Sequence, residues 1–279
     1  MKKYILSPAE LKQIQDLEIG AMCELDRICR KYNLKYTLAG GTLLGALRHD
    51  GFIPWDDDMD VNMLRSDFLK LREIAPKELR QRYFYQSSQT DPEYLYFFDK
   101  IRINDTTFKE AVLADKKIHH GVYIDIFPVD DILDANSQQA QDQLKEFKHW
   151  RSGLMGKYLD IKNRPVSVQL KQALLKLLYL PYSTKELLAR AEKTIQKYNN
   201  RQLTTVRCFC GTDVDKEVLL KSNYENIVEH DFAGHKFFIP QNADALLRQK
   251  YGDYLKLPPK DQQKTQHDLV ALDLGDKDE

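Results

Sequence analysis

The spacing of apolar residues predicts a long first helix that leads into a short strand. Ser7-Pro8-Ala9-Glu10 has the pattern of a capping box with proline at the first helical position. Apolar residues then recur at helical spacing as far as about Tyr32: Leu11, Ile14, Leu17, Ala21, Leu25 and Ile28. We interpret this helix as scaffold, and Lys35 to Ala39 as a short strand that ends at Gly40-Gly41.

An acidic segment follows, with four carboxylates at Asp56, Asp57, Asp58 and Asp60. In an extended Asp58-Met59-Asp60-Val61 segment, Asp58 and Asp60 lie on one face and Met59 and Val61 on the other. Carboxylates about 7 Å apart on one strand face repel unless a cation lies between them, and Mg²⁺ suits such oxygen ligands. A solvated acidic loop is the alternative, but the nearby glycine turn and apolar residues favour a functional site. Asp57 would face the other way, so we leave it outside the metal shell.

The segment between the glycines and the acids predicts an anion site. Thr42 is suited to cap a helix over Leu43–His49, whose N-terminal amides and dipole would face a phosphate near Gly40 and Gly41. A strand, a glycine turn, a helix and a returning acidic strand would therefore bring an anion site beside a cation site.

Two further strands carry candidate cations. We expect a helix from Ser66 to about Ile74, ended by Pro76 and followed by another short helix, and then strands at Tyr83–Gln86 and Tyr94–Ile103. Lys100 and Arg102 share one face of the second strand. They are either a solvated edge of the sheet or charge compensation for a polyphosphate, and the sequence leaves both open.

The strand pattern around Asp125 supplies a third carboxylate. Val122, Ile124 and Ile126 alternate onto one face, which leaves Tyr123 and Asp125 on the other. A buried aspartate without a partner is costly, and a metal shared with Asp58 and Asp60 would remove that cost. The alternative is an aspartate satisfied by backbone amides or an arginine.

From Ser137 the sequence is long, charged and helical, and it then returns to short strands. We predict helices at about Gln138–Leu159, Ser167–Leu180 and Thr184–Tyr198, a strand at Val206–Phe209, a hairpin of Glu225–Asp231 and Lys236–Ile239, a helix from about Asn242 to Tyr251, and a polar tail. The apolar run at 173–181 most simply packs in the core. The alternative is a basic, apolar segment that lies on a membrane surface.

Composition narrows the class of protein. The 279 residues contain 42 Lys and Arg and 42 Asp and Glu, and a net charge of zero argues against a nucleic-acid binder with a broad basic field. The four cysteines form no Cys-x-x-Cys pair, the start of the chain has no apolar signal region, and no apolar run approaches 18 residues. We therefore expect reduced thiols in a cytoplasmic protein that does not span a membrane.

Three groups of residues together resemble the LicD family. They are Gly40-Gly41-Thr42-Leu43-Leu44-Gly45-Ala46-Leu47-Arg48, then Gly51-Phe52-Ile53-Pro54-Trp55-Asp56-Asp57-Asp58-Met59-Asp60-Val61, then Tyr123-Ile124-Asp125-Ile126-Phe127-Pro128. Gly234-His235-Lys236 and Tyr251-Gly252-Asp253-Tyr254 are similar to the C-terminal part of that family, so the resemblance runs from about residue 7 to 268. The family is related to the nucleotidyltransferases and to the catalytic region of fukutin-related protein.

The resemblance implies an α+β fold with a mixed sheet. We expect a nucleotidyltransferase-like core over residues 1–135, a helical elaboration over 136–203, and C-terminal strands, helix and tail over 204–279. It also implies metal-dependent transfer of a substituted phosphate, typically phosphocholine from CDP-choline, to a sugar hydroxyl of a surface glycan such as teichoic acid or lipopolysaccharide. A lipid-linked acceptor would place the protein peripherally at the inner face of the cell membrane.

Together the residues and the resemblance assign roles in the site. Asp58 and Asp60 would hold Mg²⁺ or Mn²⁺, and Asp125 would complete the shell and accept the proton of the attacking hydroxyl. Gly40, Gly41 and Thr42 would cradle phosphates, with Arg48, Lys100 and Arg102 as further candidates for phosphate contact. Family members often have a His pair near the C-terminus, whereas this chain has Gln266-His267-Asp268, so we assign His267 no catalytic role.

Two other functions use the same features. A nucleotidyltransferase would move the nucleotide itself to a small molecule or protein, with the same carboxylates acting at a different phosphorus. A non-catalytic relative would bind a nucleotide or glycan as a regulatory module, and the intact trio of acids argues against it.

Overall fold

A mixed β-sheet with helices packed around it forms the body of the protein. The structure is a computed structural model, and it describes residues 3–159, 165–211, 214–215 and 218–275. The helices are α1 (Pro8–Tyr32), α2 (Gly40–His49), α3 (Arg65–Glu78), α4 (Gln138–Tyr158), α5 (Val166–Leu178), α6 (Thr184–Ile195), α7 (Ser222–Glu225) and α8 (Ala243–Tyr251). The strands are β1 (Thr37–Leu38), β2 (Asp60–Leu64), β3 (Tyr83–Gln86), β4 (Asp99–Ile103), β5 (Thr107–Glu110), β6 (Tyr123–Ile132), β7 (Thr205–Arg207), β8 (Val218–Leu220), β9 (Ile227–Phe232), β10 (His235–Pro240) and β11 (Leu269–Asp273). The predicted α+β class is confirmed.

The central strand of the sheet is β6. The seven-stranded sheet has the order β1-β2-β6-β4-β3, with β7 paired to the second half of β6 and β8 paired to β7. The β2–β6 pair is parallel and the other pairs of this sheet are antiparallel. Separate antiparallel ribbons join β9 to β10 and β5 to β11. The acidic strand β2 therefore lies beside the strand that carries Asp125.

Helix α1 begins and packs as its sequence predicts. Ser7 Oγ accepts from the Glu10 backbone N–H, and the Glu10 side chain accepts from the Ser7 N–H, which completes the capping box. Ile14, Ala21 and Leu25 on its inner face are fully buried in the main core. The helix ends at Asn33, which adopts the left-handed conformation.

The start of α2 differs from the prediction. Thr42 does not cap the helix, because α2 already begins at Gly40 and its N-cap, Ala39, makes no side-chain capping bond. Gly40 has a φ of +53°, which lets the chain turn directly from β1 into the helix. The Thr42 hydroxyl lies inside the first turn and accepts a hydrogen bond from the Asp60 backbone N–H at 2.8 Å.

Two predicted boundaries were wrong, and one pair of strands was missed. Helix α3 continues past Pro76 to Glu78 as a single helix, because a proline in the last turn removes one backbone hydrogen bond and only two helical residues follow it. Strand β4 begins at Asp99 rather than Tyr94, since the preceding aromatic rings pack on one another instead of entering the sheet. The polar tail contains strand β11, which pairs with β5, and neither strand was predicted.

The helical middle has a second core. Phe147 and Leu154 of α4 pack with Leu187 and Ala191 of α6, and side chains from outside 136–203 join them: Leu95, Phe97, Leu113, Ile132, Phe209 and Val214. The predicted domain boundaries stay a prediction.

The core-packing interpretation of 173–181 is correct for Leu175 and Tyr179, which pack in the second core, and wrong for the other leucines of the run. Leu174, Leu177 and Leu178 are 65%, 68% and 62% exposed. The segment instead contacts α4 through Leu175 and Tyr179, which lie against Gly156 and Gly153. Among the described residues, no helix combines the length and apolar character needed to cross a membrane.

Candidate active site

Strand alternation places Asp60 and Asp125 side by side. Met59 and Val61 are fully buried in the core, as predicted for the opposite face. Asp60 lies directly across from Asp125 in the parallel β2–β6 register, and the Asp125 N–H donates to Met59 O at 2.8 Å. Asp58 precedes the strand, with its side chain 20% exposed. The three predicted acids therefore converge at one end of the neighbouring strands β2 and β6.

The glycine turn lies against these carboxylates. A Cβ at Gly41 would lie 2.6 Å from Asp56 Oδ2, and one at Gly40 would lie 3.1 Å from Asp60 Oδ2. A side chain at 41 would therefore have to displace the Asp56 carboxylate from its present position. Together with the Thr42 bond to the Asp60 N–H, the turn positions the acidic segment. A role for these three residues in cradling phosphate stays a prediction.

Lys100 is the direct partner of Asp125. The two residues face each other in the β4–β6 register, and Lys100 Nζ lies 2.5 Å from Asp125 Oδ1. Both side chains are almost fully buried, at 4% and 9% exposure, so the solvated-edge interpretation of Lys100 was wrong. The ammonium also lies 3.3 Å from the centre of the Tyr123 ring. Burial raises the pKa of Asp125, and the attraction of Lys100 opposes that rise.

The two predicted arginines are engaged elsewhere. Arg102 is 1% exposed and donates to Gln86 Oε1 and Gly121 O, both at 2.7 Å, so it too is not on a solvated edge. Arg48 donates to Tyr254 O at 2.7 Å and to His49 Nε2 at 2.9 Å. None of these four bonds involves a carboxylate of the site, and a phosphate contact for either residue stays a prediction.

Asp57 connects the acidic segment to the C-terminal tail. Its side chain is fully buried and accepts from the Gln266 N–H at 3.0 Å, the His267 N–H at 3.4 Å and the His267 ring at 3.2 Å. His267 Nε2 lies 4.0 Å from Asp58 Oδ2 and 3.2 Å from the Tyr123 hydroxyl. The tail therefore contributes a ring to the site, although we assigned His267 no catalytic role from its sequence context. The interactions with Asp57, Asp58 and Glu110 raise its pKa to about 9, and burial opposes this.

A further acid, Glu18, reaches the cluster from α1. It is 1% exposed, and burial and the charges of the acidic segment raise its pKa well above the usual value. Burial and neighbouring carboxylates also raise the pKa of Asp56 to about 8 and that of Asp58 to about 6, and they raise that of Asp60 well above its usual value. Glu18 follows Ile14 by four residues and so falls on the buried stripe, a signal that could have identified it.

The cluster has the chemistry of a divalent-cation site. Asp56, Asp57 and Asp58 each offer an oxygen within 4.8 Å of the others, and this is the one such group among the residues described. Asp57 already accepts hydrogen bonds from the tail, whereas Asp60 Oδ1 is buried and has no hydrogen-bond partner within the described part of the chain. An oxygen in that position fits a metal ligand, because leaving it unpaired is costly. The set Asp58, Asp60 and Asp125 stays a prediction.

Comparison with known proteins places these residues in a recognised domain. Residues 33–155 match the family described as LicD/FKTN/FKRP, nucleotidyltransferase domain. The chain is 27% identical over 278 residues to "Lipopolysaccharide cholinephosphotransferase LicD" of Haemophilus influenzae, and the alignment covers 96% of this chain and 97% of that protein. An uncharacterized protein of Rickettsia prowazekii is 38% identical over 77 residues, covering 28% of this chain and 27% of that protein. The predicted site residues lie within 33–155, whereas Glu18 and His267 lie outside it.

Proposed function

We propose that the protein is a transferase of a substituted phosphate, because residues 33–155 match the LicD/FKTN/FKRP nucleotidyltransferase domain. The group we propose is phosphocholine, taken from CDP-choline and passed to a sugar hydroxyl of a cell-surface glycan. Lipopolysaccharide is the acceptor named for the Haemophilus influenzae relative, and a teichoic acid offers similar hydroxyls.

The observation that supports this proposal most is the pairing of Asp60 with Asp125. They lie opposite each other on parallel strands, and Asp60 Oδ1 is buried with no hydrogen-bond partner among the described residues. A purely structural cluster would be expected to satisfy such an oxygen. In a site that binds a cation and a diphosphate, the Asp60 oxygen would be left without a protein partner so that it can bind the cation.

We propose that Asp58, Asp60 and Asp125 hold Mg²⁺ or Mn²⁺ when the donor binds. The ion would supply neutralisation of the phosphate charge and acidification of the acceptor hydroxyl. The carboxylates would position that ion for the donor, because their own positions are fixed by the strand register and by the Thr42 bond to Asp60.

Asp125 is proposed to take the proton of the acceptor hydroxyl. The hydroxyl oxygen attacks the phosphorus that carries choline, the bond from that phosphorus to the CMP oxygen breaks, and CMP leaves. Lys100 keeps the Asp125 carboxylate in one orientation through its bond to Oδ1, so that the base is positioned before the acceptor arrives.

A nucleotidyltransferase is the second candidate, because the matched domain carries that description. It would use the same carboxylates, with attack at the nucleotide phosphorus. The released product separates the two reactions, since phosphocholine transfer releases CMP and transfer of a nucleotide from CTP releases pyrophosphate.

We also propose that the protein works at the inner face of the cell membrane. The support is helix α5, whose apolar residues face outward: Val166, Leu170, Leu174, Leu177 and Leu178 are 62–71% exposed. Lys171 and Lys176 flank this stripe, and residues 165–183 contain no acidic residue. Such a helix complements an anionic lipid surface.

The decisive experiment follows the donor. The protein is incubated with CDP-choline, Mg²⁺ and an isolated surface glycan, and CMP and glycan-bound choline are measured together. Equal amounts of both, lost in EDTA and in Asp60→Asn, are the expected result. If a parallel incubation with CTP released pyrophosphate while CDP-choline released no CMP, the second candidate would be favoured instead.

A further inference from the structure

A cavity opens beside the acidic site, on the side of the glycine turn. It has a volume of about 280 Å³, near the lower end of the ~300–1,000 Å³ that is typical of small-molecule sites. Its walls come from β1, from the start of α2, from the Leu219–Tyr224 region and from one face of α8. The proposed function uses none of these walls except Gly40.

The cavity and the acids share strand β2. Asn62 lines the cavity and follows Asp60 by two residues, so the two side chains lie on the same strand face about 7 Å apart. Gly40 also lines the cavity, and a Cβ there would lie 3.1 Å from Asp60 Oδ2. A ligand whose phosphates meet Asp60 can therefore extend its other end into the cavity.

The chemistry of the lining indicates which part of such a ligand the cavity accommodates. Leu38, Leu43 and Leu246 supply apolar walls, and Asn62 and Gln249 supply amide groups that can both donate and accept. None of the described lining residues is acidic, and Lys250 is among them. Tyr224 and Tyr251 also line the cavity. Their rings could stack on a base or attract a quaternary ammonium, but the cation would also meet the positive charge of Lys250. A flat, neutral heteroaromatic ring with hydrogen-bonding edges fits both the walls and the amides.

We propose that this cavity binds the nucleobase of a nucleoside diphosphate donor, with Asn62 and Gln249 beside its polar edge. The assignment rests on the proposed function. It places the nucleoside half of the donor between α2 and α8, and it keeps the choline half outside the cavity. Exchange of the base would then change binding through residues that do not touch the reacting phosphorus.

The test is titration calorimetry of the full chain with CMP and, separately, with inorganic pyrophosphate, both in Mg²⁺. Leu246→Trp fills the cavity and should weaken CMP binding at least about tenfold while pyrophosphate binding is kept. Gln249→Leu removes one polar contact from an exposed helix position and should weaken CMP about two- to tenfold. The matched controls, Leu257→Trp and Gln241→Leu, change exposed residues outside the lining and should leave both affinities unchanged.

The outcomes separate this inference from the proposed function. If the wild-type chain binds CMP and both cavity variants bind it equally well, the cavity assignment is wrong and the proposed function stands. If the wild-type chain binds pyrophosphate but not CMP, the cytidine donor is wrong, and the cavity assignment falls with it. Should Leu246→Trp fail to fold, Gln249→Leu against Gln241→Leu decides the question.

Discussion

Lys100 and Asp125 form a buried ion pair between the neighbouring strands β4 and β6, with Nζ 2.5 Å from Oδ1. Removing two charges from water is costly, and the pair offsets this only while both partners remain. Burial lowers the pKa of Lys100 and raises the pKa of Asp125, whereas their mutual attraction opposes both shifts. The proposed base is therefore held in a position that depends on one lysine.

Removal of that lysine should destabilise the fold. Lys100→Met leaves the Asp125 carboxylate buried without its partner, and we expect the free energy of unfolding to fall by about 3–5 kcal/mol. Chemical denaturation monitored by circular dichroism measures the change. The matched control is Lys148→Met, which breaks the exposed Lys148–Asp215 pair and should cost less than about 1 kcal/mol. Similar losses for the two variants would contradict the importance of burial.

Loss of one site carboxylate should abolish transfer without unfolding the protein. Asp60→Asn is nearly isosteric and removes a repulsive charge, so the melting temperature in EDTA should stay the same or rise. The rate of CMP release should fall by roughly 10²–10⁴-fold or more, since losing a single proton-transfer group already costs that much. Asp58→Asn should behave alike, whereas Asp125→Asn should abolish transfer but also lower the melting temperature, because it leaves Lys100 buried without its charged partner. The three losses of rate should not add, because the residues act as one unit.

The control for these variants is Asp253→Asn, an exposed aspartate in the C-terminal part. Asp57→Asn is unsuitable, although Asp57 lies outside the predicted metal shell. Its carboxylate accepts from two backbone N–H groups, and an amide NH₂ turned toward those donors would disrupt the attachment of the tail. Normal CMP release from Asp60→Asn would show that this strand face is not the reacting site.

The central strands were predictable because their signals are local. Period-two alternation places Met59 and Val61 in the core and Asp60 on the other face, and the same rule places Asp125. The resemblance to the LicD family was confirmed by the match over residues 33–155. The first conclusion depends on neighbouring residues, and the second depends on short motifs that can each be recognised without knowing which segments meet in the fold.

What the sequence could not predict depends on contacts between distant segments. His267 reaches Asp57 from 210 positions away, through a tail held by the pairing of β11 with β5. The pairing of Lys100 with Asp125 depends on a register between strands whose order no single segment encodes. Exposure of Leu174 on α5 depends on how that helix packs on α4, which its own apolar composition does not indicate.

The metal-free protein should become less stable as the pH rises. The pKa of Asp56 is raised to about 8, that of Asp58 to about 6 and that of His267 to about 9, so each group holds its proton more tightly in the folded state than in the unfolded state. Stability from such groups is fully present below their unfolded pKa values and is lost as the pH rises through the folded ones. In EDTA, the melting temperature should therefore fall progressively from about pH 4.5 to 9.

Glu18→Gln tests one group of this cluster outside the predicted metal shell. Burial raises the pKa of Glu18 well above its usual value, so the neutral glutamine should raise the melting temperature at pH 8 and flatten the pH profile. Exposed Glu229 provides the control, since Glu229→Gln should leave the slope unchanged. A steeper profile in Glu18→Gln would mean that this carboxylate is stabilised in its charged form.

Membrane association should depend on the outward face of α5. Tyr179 fits against Gly153, where a Cβ would lie 2.6 Å from the ring, and this contact orients the helix so that Leu174 and Leu177 face outward. Burying a leucine side chain contributes about 1.5–3 kcal/mol, so Leu174→Glu combined with Leu177→Glu should weaken binding to anionic liposomes by about 10²-fold or more.

The control is Leu255→Glu with Leu257→Glu, which changes two leucines that are 52% and 51% exposed elsewhere. Flotation at low and high salt measures the bound fraction, and salt should reduce it partly, because Lys171 and Lys176 add a screened attraction. A wild-type chain that stays at the bottom of the gradient at low salt would contradict the peripheral location, and equal loss in the control would mean that α5 is not the contact.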